Sequence, residues 1–154
     1  METKLNNFKE YCERNQNTFI REKDYSEEHT ILLEKILKNP MLIELRGIES
    51  RYKEVKLIDK YKIGCIDLIF ISKEEIPYIC EIKASFKPGR GMGTQLERYY
   101  SFIRDNFGIA PTRIGIQLTE TGKLRKKIIP AEIEDLLKLN SKDKEGQKNE
   151  VGIF

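Results

Sequence analysis

Two acids and a lysine interrupt the most apolar part of this chain. Asp67 sits inside the run Cys65 to Ile71, and Glu81 and Lys83 sit inside Ile76 to Lys83. Both runs are rich in β-branched and aromatic residues, and the polar Ser72-Lys73-Glu74-Glu75 between them reads as a hairpin loop. If Ser72 and Ile76 flank a three-residue loop, Asp67 falls opposite Glu81 and Cys65 opposite Lys83. Alternation then puts Asp67, Glu81 and Lys83 on one face, with Ile66, Leu68, Phe70, Tyr78, Cys80 and Ile82 on the other. Two carboxylates opposed across a ladder lie about 5 Å apart and repel, a conflict that a bound cation resolves. Mg²⁺ or Mn²⁺ prefers oxygen donors, and Asp67, Glu81 and the Ile82 carbonyl supply part of such a shell. An isolated Glu-x-Lys is more often a solvated pair. Here both faces of the hairpin are otherwise apolar, so the strands are expected to be central and the charges buried.

The elements that must position this hairpin can be read outward from it. A short N-terminal helix is expected on the spacing of Leu5, Phe8, Tyr11 and Cys12. Ser26 before Glu27 and Glu28 caps a helix that Pro40 ends; its apolar stripe centres near His29 and Ile36, so Glu28 can look inward while Glu34 is solvated. Tyr52 to Ile58 reads as a strand before the hairpin. Ala84 to Gly93 is a glycine-rich loop. Thr94-Gln95-Leu96-Glu97 is a capping-box sequence opening a helix whose face is Leu96, Tyr99, Tyr100, Ile103 and Phe107. Thr112 to Leu118 and Leu124 to Ile129 read as strands, and Pro130 to Leu139 as a closing helix. The expected order is α-β-β-β-α-β with C-terminal additions. It makes a single domain over residues 1–140, with its core at about 26–119, and a charged tail over 141–154.

Composition narrows the class. The 154 residues are 39% hydrophobic and 34% charged, with no apolar run near the roughly 20 residues of a membrane span, so a soluble protein is expected. The first residues, METKLNNFKE, resemble neither a signal nor a transit peptide, which reads as cytoplasmic. Cys12, Cys65 and Cys80 have no paired spacing and fit small core residues in a reducing compartment.

Three groups of residues carry a resemblance. Gly64-Cys65-Ile66-Asp67, Glu81-Ile82-Lys83 and Gln95-Leu96-Glu97-Arg98-Tyr99 resemble, in order, the G-x-x-D, (D/E)-x-K and Q-x-x-x-Y elements of the PD-(D/E)xK nucleases. Within that superfamily the chain looks most like the catalytic domain of the NucS/EndoMS endonucleases and RecB-like nucleases, over about residues 26–119, without their separate N-terminal domain. The resemblance implies a restriction-endonuclease-like core, a mixed central sheet flanked by helices. It implies metal-dependent hydrolysis of DNA phosphodiesters, in repair or recombination, with Asp67 and Glu81 holding Mg²⁺ and Lys83 orienting water or meeting developing charge. Gln95 and Tyr99 would brace Lys83 or touch a phosphate. Glu28 would be the first-helix acid that helps hold metal; its alternative is an N-terminal charge complementing the helix dipole.

Charge distribution agrees with a phosphate partner. The net charge is only +3, but Lys83, Lys87, Arg90, Arg98 and Arg104 cluster around the glycine-rich loop, with Lys87, Arg90 and Arg98 expected on DNA. Lys123, Arg125, Lys126 and Lys127 form a second patch, which serves equally well as a solvated surface. The tail ends in Val-Gly-Ile-Phe and, with Gln147, is similar to sliding-clamp-binding peptides, although Glu150 departs from their pattern. A homodimer would suit a duplex-cutting nuclease. The competing classes are a nucleic-acid-binding module of this fold without catalysis, and a clamp-associated accessory protein.

Overall fold

The computed structural model describes residues 3–16, 27–58, 62–84 and 92–143. The expected DNA contacts Lys87 and Arg90, the Ser26 cap and the end of the tail lie outside these residues. Helix α1 (Lys4–Asn15) begins where the Thr3 hydroxyl accepts from the Asn6 amide at 3.0 Å, capping an orphan donor. Leu5, Phe8 and Cys12, spaced for one helical face, are buried. Helix α2 (Glu27–Lys38) buries His29, Leu32, Leu33 and Ile36, and a short 3₁₀ turn at Pro40–Ile43 follows it. The last carbonyls of α2 are satisfied from the sheet, since Arg51 donates to Leu37 and Lys38 oxygens, both at 2.9 Å.

Among the described residues, β1 (Ile48–Ile58), β2 (Lys62–Ser72), β3 (Pro77–Lys83), β4 (Thr112–Leu118) and β5 (Leu124–Ile129) form one sheet in sequence order. β3 and β4 are parallel, joined through α3 (Met92–Phe107), and the other pairs are antiparallel. The fold is therefore a mixed α/β sheet flanked by helices, as expected. α1 and α3 cover one face, with Phe8, Tyr52, Val55, Leu57, Ile69, Ile79, Leu96, Tyr99 and Ile103 in their core. α2 and the 3₁₀ turn cover the other, over Leu68, Phe70, Cys80, Ile82, Ile114 and Ile116. Edge-to-face rings fasten α1 to α3, with Phe107 5.3 Å from Phe8 and 5.1 Å from Tyr11.

The C-terminal helix α4 (Ile133–Asp143) reaches past residue 140, where the tail was expected to begin. Arg113, 1% exposed, anchors its approach. Its guanidinium lies 4.1 Å from the Tyr100 ring centroid, pairs with Glu97, and donates to the Pro130 carbonyl at 2.7 Å. Tyr100 donates to Asp135 at 2.6 Å and accepts from the Glu132 amide at 3.0 Å, so α3, β4 and α4 share one polar network. This overturns the capping-box expectation: α3 starts at Met92, which leaves Thr94 inside the helix, and Glu97 serves Arg113 instead of the helix start.

Candidate active site

The hairpin has the loop length that the sequence suggested. The Ser72 amide donates to the Ile76 carbonyl at 3.0 Å, and Glu75 adopts the left-handed conformation at φ 66° that closes a three-residue loop. The pairs Ile71 with Pro77, Phe70 with Tyr78, Ile69 with Ile79 and Leu68 with Cys80 follow in the expected register. The ladder then stops one step short of Asp67 and Glu81. In place of a backbone bond, the Ile82 amide donates to Asp67 Oδ2 at 2.8 Å. The carboxylate thus occupies the fork where β2 continues along β1 and β3 continues along β4.

Asp67 is 1% exposed and Glu81 2% exposed. Burial pushes the thiol of Cys80 up, and the negative charges of Asp67 and Glu81 add to it. His29 Nε2 approaches Asp67 Oδ2 at 3.4 Å from the α2 side. The same oxygen therefore meets a backbone N–H and an imidazole, which fixes where the carboxylate points.

Asp67 also departs from simple alternation. Tyr52 and Val55 in β1, and their partners Ile69 and Ile66 in β2, all enter the core under α1 and α3. Each strand therefore carries one residue more between same-face positions than a pleat allows. The pairing is skipped at Glu54 and Asp67, and Glu54 takes φ 48°. A left-handed conformation at a residue with a Cβ costs about 1–2 kcal/mol. Ile66 consequently leaves the face expected for it and joins the other core, while Leu68, Phe70, Cys80 and Ile82 lie where alternation put them. The irregularity places a third acid, buried Glu54, across from Asp67. Nothing in the sequence marks Glu54, which is one of five charged residues in the first strand.

The helix side chains assemble unevenly around this fork. Glu28 is exposed at the start of α2, and the residue that α2 presents to Asp67 is His29. The 100° step that buries His29, Leu32, Leu33 and Ile36 leaves Glu28 on the flank. Glu34, expected in solvent, is half-buried and accepts from Lys53 Nζ at 2.9 Å. Tyr99 is buried, and its hydroxyl donates to the Cys65 carbonyl at 3.2 Å, so it braces the backbone leading to Asp67. Gly64 makes that fit: a Cβ there would stand 2.9 Å from Tyr99 Cε1 and 3.1 Å from its hydroxyl. The glycine and tyrosine of two separate sequence elements are thus one packing contact.

Gln95, one turn before Tyr99, is half-buried with its Oε1 shielded from water and lacking a hydrogen-bond partner among the described residues. Leu96 and Met92 pack toward Gly115 on β4 while Tyr99 packs on Gly64 of β2, so the first turns of α3 cross the end of β3. Lys83 is half-buried at that end, in register with Gln117. Arg98 is exposed on α3. Ile82, expected to lend its carbonyl to a metal, is engaged here through its amide.

Among the described residues no three His, Cys, Asp or Glu side chains converge closely enough to hold a metal by themselves. Two buried carboxylates on adjoining strands nevertheless suit Mg²⁺, which is held by one or two carboxylates and completes its octahedron with water and substrate phosphate. No described helix is long and apolar enough to cross a membrane.

No family model matches the sequence, and no curated protein does. Among solved structures, a repair endonuclease from Pyrococcus abyssi aligns with a TM-score of 0.49 and 24% identity, over 63% of this chain and 40% of that one. A complex of EndoMS with double-stranded DNA aligns with a TM-score of 0.44 and 20% identity, over 66% of this chain and 39% of that one.

Proposed function

We propose that this chain is a metal-dependent DNA endonuclease of the PD-(D/E)xK kind. The observation that carries the reading is the fork: Asp67 and Glu81 are both buried on adjoining strands where β2 and β3 part, with Lys83 one pleat beyond Glu81 on the same strand. Burying two like charges in an apolar sheet costs several kcal/mol without a compensating cation. A fold that needed only stability would fill these positions with Val or Ile.

In this reading Asp67 and Glu81 hold Mg²⁺ or Mn²⁺. The ion supplies Lewis acidity toward a phosphodiester and lowers the pKa of a water beside it. The chain's own residues do the rest. The Ile82 amide and His29 fix the Asp67 carboxylate, so that no reorganisation is needed as substrate arrives. Lys83 orients the attacking water and meets negative charge developing on the phosphate. Gln95, near the start of α3, would hydrogen-bond Lys83 or a phosphate oxygen, and Tyr99 holds the β2 backbone beneath. Burial of the fork excludes bulk water from the carboxylates.

The test is cleavage of supercoiled and linear DNA by purified protein with Mg²⁺ or Mn²⁺, beside Asp67→Ala, Glu81→Ala and Lys83→Ala. The expected result is metal-dependent nicking that each substitution abolishes while DNA binding survives. Calorimetric titration with Mn²⁺ alone adds a readout free of turnover, with binding expected for the wild type and lost in Asp67→Ala. Protein that binds DNA but neither cuts it nor takes up Mn²⁺ would establish the non-catalytic module instead.

A further inference from the structure

Of the four basic residues of the second patch, Lys123 precedes β5 and the other three lie on it, divided between its two faces. Lys126 points to the α2 side, where its Nζ donates to the Ile43 carbonyl at 3.0 Å and pairs with Glu44 at 3.2 Å. Arg125 and Lys127 point to the α3 side, because Arg125 is in register with Gln117 and Lys127 with Gly115. On the other flank of β4, Gln117 is in register with Lys83 and Gly115 with Glu81. Register neighbours in a sheet share a face. Lys83, Gln117 and Arg125 therefore form one row across β3, β4 and β5, and Glu81, Gly115 and Lys127 form the row behind it.

Helix α3 starts over this second row. Met92 Sδ would stand 2.6 Å from a Cβ on Gly115, so the helix begins there and leaves the Lys83–Gln117–Arg125 row beyond its N-terminus. Lys83 and Gln117 are half-buried, and Lys123, Arg125 and Lys127 are exposed. Among the described residues no carboxylate pairs with those three exposed cations, whereas Lys53, Arg113 and Lys126 each have an acid partner. An open cleft of about 560 Å³ lies at this end of the hairpin, lined by Gln117, Thr119, Thr121, Lys123 and Arg125, with Glu120 as the acid among its walls. Hydroxyls, an amide and these cations make a surface for oxyanions.

We propose that the Lys83–Gln117–Arg125 row, with Lys123 and Lys127 at its sides, is a phosphate track that seats the nucleic-acid backbone next to the scissile position. Two strand spacings separate Lys83 from Arg125, about 10 Å at the backbone. One DNA strand carries a charge about every 3.4 Å of helix axis, so the row spans neighbouring phosphates of the same strand. Substrate then leaves the active site across the β4–β5 hairpin, on the side away from β1. The contacts are to backbone, so they add affinity and direction without sequence preference. This rests on the nuclease reading for the role of Lys83, while the track itself is read out by binding alone.

The experiment measures fluorescence-anisotropy binding of a labelled DNA duplex by full-length protein in Ca²⁺, from low to moderate salt. It compares wild type, Lys123→Gln/Arg125→Gln, the charge reversal Arg125→Glu, and the charge-matched control Arg14→Gln/Lys35→Gln on remote exposed positions. The double variant is expected to bind about tenfold more weakly at low salt. Its log–log salt slope should fall by about 1.8, since each lost phosphate contact removes about 0.9. Arg125→Glu should weaken binding further, the control should match wild type, and in cleavage the loss should appear in KM. Equal affinity and slope in wild type and track variants would overturn the proposal, as would an equal loss in the control or no DNA binding by the wild type. Wild type that binds through the track and cuts nothing in Mg²⁺ or Mn²⁺ would leave the track standing and sink the nuclease.

Discussion

Gly64→Ala isolates the contact that ties α3 to the strand carrying Asp67. The added methyl would stand 2.9 Å from Cε1 and 3.1 Å from the hydroxyl of Tyr99, where carbon atoms normally approach no closer than about 3.5 Å. The tyrosine ring is rigid and buried among Leu96, Ile103 and the sheet, so it can give way only by moving α3 or β2. Overpacking of this kind costs about 1–3 kcal/mol, and the hydrogen bond from Tyr99 to Cys65 is worth about 1 kcal/mol more if it stretches. The expected total is about 2–4 kcal/mol, a fall in Tm of very roughly 4–16 °C for a chain of this size. Urea denaturation of Gly64→Ala, Tyr99→Leu and the double variant closes a thermodynamic cycle. Tyr99→Leu removes the ring edge that the methyl meets, so Gly64→Ala should cost at least about 1 kcal/mol less in the Tyr99→Leu background than in the wild type. Additive costs, or a Gly64→Ala variant as stable as wild type, would refute the claim that this glycine exists to admit that ring.

Other perturbations follow from the same geometry. Glu81→Gln removes one of two like charges in the fork, so in EDTA it should be about 1 kcal/mol more stable than wild type by thermal melting, while losing any stabilisation by added Mg²⁺. His29→Ala leaves Asp67 without its imidazole neighbour and should weaken Mn²⁺ binding by about 10–100-fold in calorimetry, a loss that His29→Gln partly restores. Arg113→Met should cost about 2–4 kcal/mol in denaturant, because it deletes the bond to Pro130 and the stack on Tyr100 while Glu97 and Glu132 turn to solvent. Burial, then the bond to Asp135, pushes the Tyr100 phenol up to about 12. Its folded value lies above the unfolded value of about 10, so its stabilising contribution is intact below about pH 10 and is lost as pH rises from 10 towards 12. Tyr100→Phe should remove that alkaline step, followed by tyrosinate absorbance against unfolding.

The register of the hairpin was legible because loop length alone sets which residues face each other, and Ser72 to Ile76 has the length that brings Asp67 toward Glu81. The strands on either side were legible from their apolar content. The fate of Ile66 was not, because an extra residue in one strand that is matched by an extra residue in its partner leaves the pairing undisturbed and invisible to periodicity. That α2 presents His29 to Asp67 and leaves Glu28 exposed turns on one residue step around the helix, finer than an apolar stripe resolves. Arg113 looked like one of many surface cations. Its burial depends on Tyr100, Glu97 and Pro130 meeting in space from separate segments.

The matched irregularity in β1 and β2 also constrains how this chain can change over generations. Deleting Glu54 alone, or Asp67 alone, would leave the extra residue of the partner strand unmatched and shift every pair beyond it by one, so that Val55 no longer faces Ile66. Deleting both would restore an ordinary pleat and keep the pairing, but the fork would lose its carboxylate. Descendants that shed the chemistry yet keep the fold should therefore carry substitutions at Asp67, or gaps that come in pairs across the two strands, and never a single gap in either one.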